Sequence, residues 1–182
     1  GIFSERPSSS QLLEHLVALG IDQPFRFAQL RFAVQGPISY ALKNTVYWQG
    51  ASVNEMSGRY SVLPQTAYIP TVEEIEARLD VGMSGNAQQI HDILVKVRDQ
   101  SDEDYMGLSG LEVARELARV GLGSDTHTGF LWKVDLLTLS HYVKQQRRFL
   151  ASDDHGLKFV ESIASMAGKT APSAWQALMK DC

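Results

Sequence analysis

The chain has 182 residues with 44% hydrophobic and 21% charged content, ordinary values for a soluble globular protein. Its net charge of −4 gives no electrostatic reason to expect nucleic acid as a partner. No apolar run approaches the ~20 residues that span a bilayer, and the N-terminus lacks a signal-peptide pattern, so we expect a cytoplasmic protein without a membrane partner. With Cys182 as its single cysteine, the sequence predicts no internal disulfide and no thiolate metal site.

The first third of the sequence predicts one helix followed by two strands. Ser8-Ser9-Ser10 offers N-caps for a helix through Leu12–Leu19, and Gly20 is a typical helix stop. Apolar and polar residues partly alternate from Phe25 to Gln35, which predicts a strand with one buried face. Gly36-Pro37 predicts a turn or a bulge, and a second strand is predicted over residues 38–46.

The rest of the sequence is predominantly helical in pattern. Capping boxes at residues 71–74 and 109–112 predict two helices, the first ending near Leu79 and the second near Gly121 or Gly123. Apolar spacing predicts further helices over residues 87–97, 130–149, 157–166 and 173–179, with an acidic loop at 99–104. No repeat or linker divides the chain. We therefore expect a single domain over residues 1–182 with an α+β fold, in which an antiparallel or mixed sheet is joined to a long helical C-terminal half.

Residues 52–60 form an unusual polar segment with the pattern S-x-N-E-x-S-G-R-Y. The segment shows neither the alternation of a half-buried strand nor the apolar stripe of a surface helix. Its carboxylate, guanidinium, amide, phenol and two hydroxyls are the groups that grip a polar, anionic small molecule. From side-chain chemistry alone, a polar loop between two strands remains the alternative.

This segment resembles the second half of the signature of the flavin-dependent thymidylate synthases (the ThyX family), R-H-R-x-x-S-x-N-E-x-S-x-R-Y. The match from Ser52 to Tyr60 is complete. The first half differs, because Tyr47-Trp48-Gln49 stands where the family has Arg-His-Arg. Ala118-Arg119 is similar to an Ala-Arg pair of the family. The resemblance implies a ThyX-like domain and is specific only at the signature.

In that family the second half of the signature holds deoxyuridylate, so the resemblance implies a pyrimidine nucleoside monophosphate as ligand. The substrate-binding candidates are Asn44, Glu55, Ser57, Gly58, Arg59 and Arg119. Arg59 suits bidentate phosphate binding, and Arg119 would add a second guanidinium. Taken alone, Arg119 is equally typical of an exposed position on an amphipathic helix. The family's catalytic arginine falls on Gln146, with Arg147 beside it, and these two residues are the catalytic candidates.

The resemblance also implies FAD as cofactor, with NADPH and methylenetetrahydrofolate as co-substrates. The cofactor-binding candidates are Gln23, Tyr47, Trp48, Gln49, Asp135 and His141. Each charge-assisted hydrogen bond lost with the Arg-His-Arg group costs about 1.5–3 kcal/mol, which stacking by Tyr47 or Trp48 would partly offset. Core or interface packing is the alternative role of these two aromatic residues. The five histidines lack metal-ligand spacing, so we expect no metal site.

Two functions remain open from the sequence. The first is an enzyme that methylates C5 of a uridine 5′-monophosphate, either dUMP or UMP, as the family does. The alternative is a non-catalytic nucleotide-binding paralogue or regulatory subunit that has lost flavin chemistry. Because family members are homotetramers, we also expect a homo-oligomer, a tetramer built around residues 130–149 and 25–32.

Overall fold

A computed structural model describes residues 8–39, 48–60, 66–79, 84–150 and 155–180 of the chain. These residues form two compact units. The first unit comprises residues 8–32, 48–52, 133–150 and 155–180, and the second comprises 33–39, 53–60, 66–79 and 84–132. The chain therefore passes between the units several times along its length. The interpretation as one domain over residues 1–182 stays a prediction.

Three strands form one small antiparallel sheet in the order β1–β3–β2. Their bounds are β1 (Gln29–Pro37), β2 (Ala51–Glu55) and β3 (His127–Asp135). Strand β3 is thus central and β2 lies at an edge, and every strand contributes residues to both units. Helices make up most of the remaining structure, so the predicted α+β class is confirmed.

The helices of the described residues follow the chain in this order: α1 (Ser9–Ala18), α2 (Gln23–Phe27), α3 (Val72–Glu76), α4 (Ala87–Gly110), α5 (Arg115–Ala118), α6 (Leu136–Phe149), α7 (His155–Thr170) and α8 (Pro172–Met179). Short 3₁₀ turns cover Ser84–Asn86 and Arg119–Gly121. Within these ranges, no helix combines the length and the apolar character needed to cross a bilayer. Helices α6, α7 and α8 form the expected helical C-terminal part.

The first unit is a helical layer built around α6. This helix begins where β3 ends, because the Asp135 side chain accepts a hydrogen bond from the Thr138 amide at 2.8 Å and caps the first turn. Helix α6 packs against α2, α7 and α8, and α1 packs against α8. The fully buried residues of this core include Val134, Leu136, Leu139, Tyr142, Val143, Val160 and Ile163.

The second unit is organised by α4, the longest helix. It continues to Gly110 through residues 99–104, where the sequence had predicted an acidic loop. The continuation is stabilised by side-chain pairs four residues apart. Arg98 bonds Asp102, and the Gln100 amide donates to the Asp104 carboxylate at 3.0 Å. The acidic residues of this segment therefore serve as helix partners.

Four other predicted elements differ from the structure. Residues 25–27 lie in α2, because Pro24 in its first turn favours a helix start. Residues 38–39 are helical, and the rest of the predicted strand lies outside the described residues. Residues 109–110 end α4 instead of opening a helix, and residues 130–135 belong to β3. The alternating burial of β3, with 128, 130, 132 and 134 inside, has the period of a strand.

Candidate functional site

A polar pocket of about 240 Å³ lies in the second unit. It is lined by Ile38, Glu55, Met56, Ser57, Gly58, Arg59, Arg119 and Thr128. Five of the six residues predicted to bind substrate therefore line a single cavity. The sixth, Asn44, lies outside the described residues. Segments that are far apart in sequence meet here, as the resemblance implied.

The signature loop is shaped by backbone hydrogen bonds that follow the end of β2. The Met56 amide donates to the Gly129 carbonyl at 2.8 Å, which fixes the loop against the central strand. The chain then turns, as the Tyr60 amide donates to the Ser57 carbonyl at 3.1 Å. The Arg59 amide bonds the Ser57 hydroxyl oxygen at 3.3 Å, and Gly58 is buried. The polar residues thus leave an edge strand in a tight turn.

Helix α5 holds the far end of this loop and presents the second arginine. The Arg115 guanidinium donates to the Tyr60 carbonyl at 2.8 Å. The α5 helix ends at the 3₁₀ turn that carries Arg119. The Ser101 hydroxyl of α4 donates to the carbonyl of Gly121, the last residue of that turn, at 2.6 Å. Both arginine-bearing segments are therefore anchored to helices of the same unit.

The electrostatics of the pocket favour an anion. Arg59 and Arg119 are exposed, and neither guanidinium forms an ion pair with another described residue. The Arg59 guanidinium carbon lies 5.6 Å from the centre of the Tyr60 ring, a cation–π distance. Glu55 is an exposed carboxylate at the same pocket and supplies an acceptor for a ligand N–H or O–H group. Two uncompensated cations beside one acceptor suit a phosphate-bearing polar molecule.

Three lining residues were missed in the sequence analysis, namely Ile38, Met56 and Thr128. Met56 lies inside the signature but has an apolar side chain. Thr128 lies just before the segment 130–149 that had been predicted as a helix, so no strand was assigned to it. The strand alternation of residues 127–134 is the signal that would have revealed it.

A second predicted group meets in the first unit, at the start of α6. The Trp48 ring packs edge-on against Tyr142 with centroids 5.4 Å apart. The Thr138 hydroxyl donates to the Gln49 carbonyl at 2.8 Å, and its oxygen lies 3.0 Å from an Asp135 carboxylate oxygen. The structure therefore brings Trp48, Gln49 and Asp135 together. Asp135 is buried and has a structural role as the cap of α6.

Gly50 is required for this arrangement. Its φ of 88° lies in the region that favours glycine, and an added Cβ would lie 2.0 Å from an Asp135 carboxylate oxygen. We expect Gly50→Ala to lower the free energy of unfolding by about 2 kcal/mol, from backbone strain and the displaced helix cap. Thermal unfolding of this variant beside Gly36→Ala, where an added Cβ meets no atom within 4 Å, measures the effect. Equal midpoints for the two variants would contradict the expectation.

The other predicted residues are more dispersed. Gln23 is exposed at the start of α2 and His141 is exposed on α6, while Tyr47 lies outside the described residues. Gln146 is half-buried on α6. The Arg147 guanidinium donates two hydrogen bonds to the Glu161 carboxylate of α7, with nitrogen-to-oxygen distances of 2.7 and 2.8 Å. The Arg147 guanidinium holds the pKa of the Glu161 carboxyl below its usual range.

The described cofactor candidates of the first unit offer an aromatic ring and polar groups instead of permanent cations. Trp48 offers a half-buried indole, and Gln49 and His141 offer exposed polar groups. Arg26 is directed toward Asp135, with a nitrogen-to-oxygen distance of 3.9 Å. The indole suits stacking on a heterocycle, and the two polar groups suit hydrogen bonding to it.

Comparison with known proteins gives consistent matches. The family described as thymidylate synthase complementing protein matches residues 3–172. The chain is 32% identical to the flavin-dependent thymidylate synthase of Gluconobacter oxydans, over 72% of this chain and 47% of that protein. It is 31% identical to the enzyme of the same name from Thermus thermophilus, over 91% of this chain and 62% of the relative. The chain thus spans about half to three-fifths of the length of these relatives.

Solved structures show the same fold. The UMP/dUMP methylase PolB of Streptomyces cacaoi, bound with 5-Br UMP, superposes with a TM-score of 0.79 at 19% identity. The match covers 94% of this chain and 82% of that one. PolB bound with 5-Br dUMP gives a TM-score of 0.78 over 97% of this chain. The predicted fold is therefore confirmed by structures of distant sequence.

Proposed function

The chain belongs to the thymidylate synthase complementing protein family, that of the flavin-dependent thymidylate synthases, and from this premise we propose that it methylates C5 of a uridine 5′-monophosphate. The one-carbon unit comes from methylenetetrahydrofolate, FAD is the cofactor and NADPH the reductant. Relatives carry the name flavin-dependent thymidylate synthase, and PolB is named a UMP/dUMP methylase. The substrate of this chain is accordingly dUMP or UMP.

The observation that carries this proposal is the pocket around Arg59 and Arg119. Both guanidiniums line one cavity and lack ion-pair partners in the described part of the chain. A nucleotide phosphate supplies the missing negative charge, and the Glu55 carboxylate accepts from a ribose or base donor. The protein then acts mainly by holding the pyrimidine in position, since hydride chemistry belongs to the bound flavin.

Gln146 and Arg147 remain the proposed catalytic residues for polarising the pyrimidine. The pair with Glu161 engages the Arg147 guanidinium, so Arg147 would have to exchange this partner for the substrate. Gln146 has a neutral amide that can donate to a base oxygen without that exchange. Comparing the turnover of Gln146→Ala and Arg147→Ala distinguishes the two candidates.

We further propose a cytoplasmic homo-oligomer, a tetramer as in the family. Many apolar residues of the segments expected at the interface, among them Phe25, Phe130 and Leu139, are buried within the chain itself. The exposed apolar residues that could meet a second copy include Ile93, Val97, Leu131 and Phe149. Light scattering at micromolar concentration tests this assembly, and a 20.2 kDa species would refute it.

The central experiment is titration of the purified chain with deoxyuridylate and uridylate by calorimetry, with deoxyuridine as the ligand that lacks phosphate. We expect binding that depends on the phosphate. Turnover with methylenetetrahydrofolate, NADPH and FAD then tests the reaction. If neither nucleotide binds, the proposed function is wrong.

The cofactor is tested by flavin titration. We expect Trp48→Ala to weaken FAD binding about fivefold, because loss of a stacked aromatic ring removes on the order of 1 kcal/mol. Trp175→Ala, which removes a half-buried indole of α8, is the matched control and should retain affinity. If the unmutated chain shows no spectral change up to millimolar FAD while nucleotide still binds, the non-catalytic paralogue becomes the better account.

A further inference from the structure

We propose that Thr128 is a further nucleotide-binding residue, whose hydroxyl donates a hydrogen bond to an acceptor oxygen of the bound nucleotide. This inference rests on the proposed function of the pocket around Arg59 and Arg119. It adds a buried contact from the central strand to a pocket otherwise lined by Ile38, the end of β2, the loop that follows β2, and the turn that carries Arg119.

The evidence begins with an unsatisfied hydroxyl. Thr128 is 1% exposed, and its side-chain oxygen has no hydrogen-bond partner among the described residues. Buried polar groups are nearly always paired, since an unpaired one loses its bonds to water and gains nothing in return. An orphaned hydroxyl in the wall of a ligand pocket is thus a group whose partner is expected to arrive with the ligand.

Thr126 provides an internal comparison. It is also fully buried and lies only two residues away, yet its hydroxyl oxygen accepts a hydrogen bond from the Arg98 guanidinium at 2.7 Å. The fold therefore supplies a partner for one threonine and leaves the other unpaired. The two hydroxyls differ in their environment, because Thr128 lines the pocket and Thr126 does not.

The composition of the pocket identifies the type of partner. Two guanidiniums and the Ser57 hydroxyl face the cavity together with the single Glu55 carboxylate. Such an excess of donors complements a ligand rich in acceptor oxygens, as a nucleoside monophosphate is. The Thr128 hydroxyl is covered in the free chain, so its contact with the ligand requires a small local shift of the pocket wall.

A packing role alone makes the opposite prediction. If Thr128 only fills space, valine, which has the same shape and no hydroxyl, should bind nucleotide as well as threonine does. The test therefore compares Thr128→Val, Thr128→Ser and Thr126→Val with the unmutated chain. Each is titrated with deoxyuridylate by calorimetry, and each is unfolded thermally without ligand.

We expect Thr128→Val to bind deoxyuridylate about tenfold more weakly and to unfold at an unchanged or higher temperature, since a buried unpaired group has been removed. Thr128→Ser, which retains the hydroxyl, should bind within about twofold of the unmutated chain. Thr126→Val should show the reverse pattern, with a lower unfolding temperature and nearly unchanged affinity, because it deprives Arg98 of an acceptor.

Three outcomes would overturn the inference while leaving the proposed function intact. These are equal affinity of Thr128→Val and the unmutated chain, an equal loss in Thr128→Ser, and a clear fall in the unfolding temperature of Thr128→Val. The last would show that the hydroxyl stabilises the free fold. Failure of the unmutated chain to bind deoxyuridylate would instead refute the proposed function, and this inference with it.

Discussion

Replacing Arg59 or Arg119 with methionine is expected to weaken deoxyuridylate binding by about 2–3 kcal/mol each, or roughly 30- to 150-fold. The reason is that neither guanidinium is neutralised by a carboxylate elsewhere in the described ranges. Each arginine therefore offers its whole charge to the ligand, and methionine retains much of the side-chain length while removing that charge. Calorimetric titration of each variant measures the loss directly.

Arg78→Met is the matched control for these variants. It removes one exposed guanidinium outside the pocket, where Arg78 donates to the Glu74 carbonyl at 2.7 Å. We expect its affinity for deoxyuridylate to stay within about twofold of the unmutated chain. Binding by the unmutated chain should also weaken as salt is added, and this dependence should shrink when both pocket arginines are replaced. An equal loss in Arg78→Met would point to net charge instead of direct contact.

Arg98→Met should have the largest effect on stability, lowering the free energy of unfolding by about 3 kcal/mol. Arg98 is 5% exposed and pairs with Asp102, donating from Nε to a carboxylate oxygen at 3.0 Å. It also donates to Thr126, and a carboxylate oxygen of Asp125 lies 3.8 Å away. Methionine would leave these acceptors without their shared donor, and an acceptor that loses its partner carries the full desolvation penalty.

For a chain of this length, such a loss corresponds to a fall of roughly 6–12 °C in the unfolding midpoint. Gln100→Ala on the same helix is the control, because it breaks an exposed pair with Asp104 that is worth only about 0.2–0.5 kcal/mol. Thermal unfolding of both variants gives the two midpoints to be compared. A midpoint for Arg98→Met close to that of Gln100→Ala would mean that water replaces the lost bonds.

Secondary structure was predictable wherever short-range chemistry decides it. One of the N-caps predicted within residues 8–10 is present at Ser8, and the predicted capping box at Thr71 is present; both show reciprocal side-chain and backbone bonds. Helices α7 and α8 also occur where their apolar spacing indicated them. These features depend on residues three or four positions apart, so the sequence contains all the information that determines them.

Prediction failed at two places, one decided by strands distant in sequence and the other by side-chain pairs four residues apart. The apolar residues from Phe130 to Asp135 are compatible with the period of a helix and with that of a strand. The segment forms a strand because it pairs with β1 on one side and β2 on the other. The acidic residues 99–104 look like a loop until Arg98 and Gln100 pair with carboxylates on the same helix. In both cases the deciding partner lies outside the pattern that was considered.

The polar pocket was predictable from residues 52–60, because a long polar motif constrains chemistry more tightly than an apolar spacing does. Family membership was predicted correctly on this basis. The role of Asp135 was less accessible to sequence reasoning. A carboxylate at the end of a strand is equally compatible with a cofactor contact and a helix cap, and only the bond from the Thr138 amide shows that it caps α6.

The hydrogen bond between the Met56 amide and the Gly129 carbonyl also bears on how this protein folds. It joins positions separated by more than seventy residues, so a long loop must close before the bond can form. Glu55 to Arg59 lie near the first end of this loop in sequence, and Arg119 and Thr128 lie near its second end. The pocket thus exists only once the ends of the loop have met. We therefore expect the proposed nucleotide ligand to hold the closed loop in place and to slow its reopening.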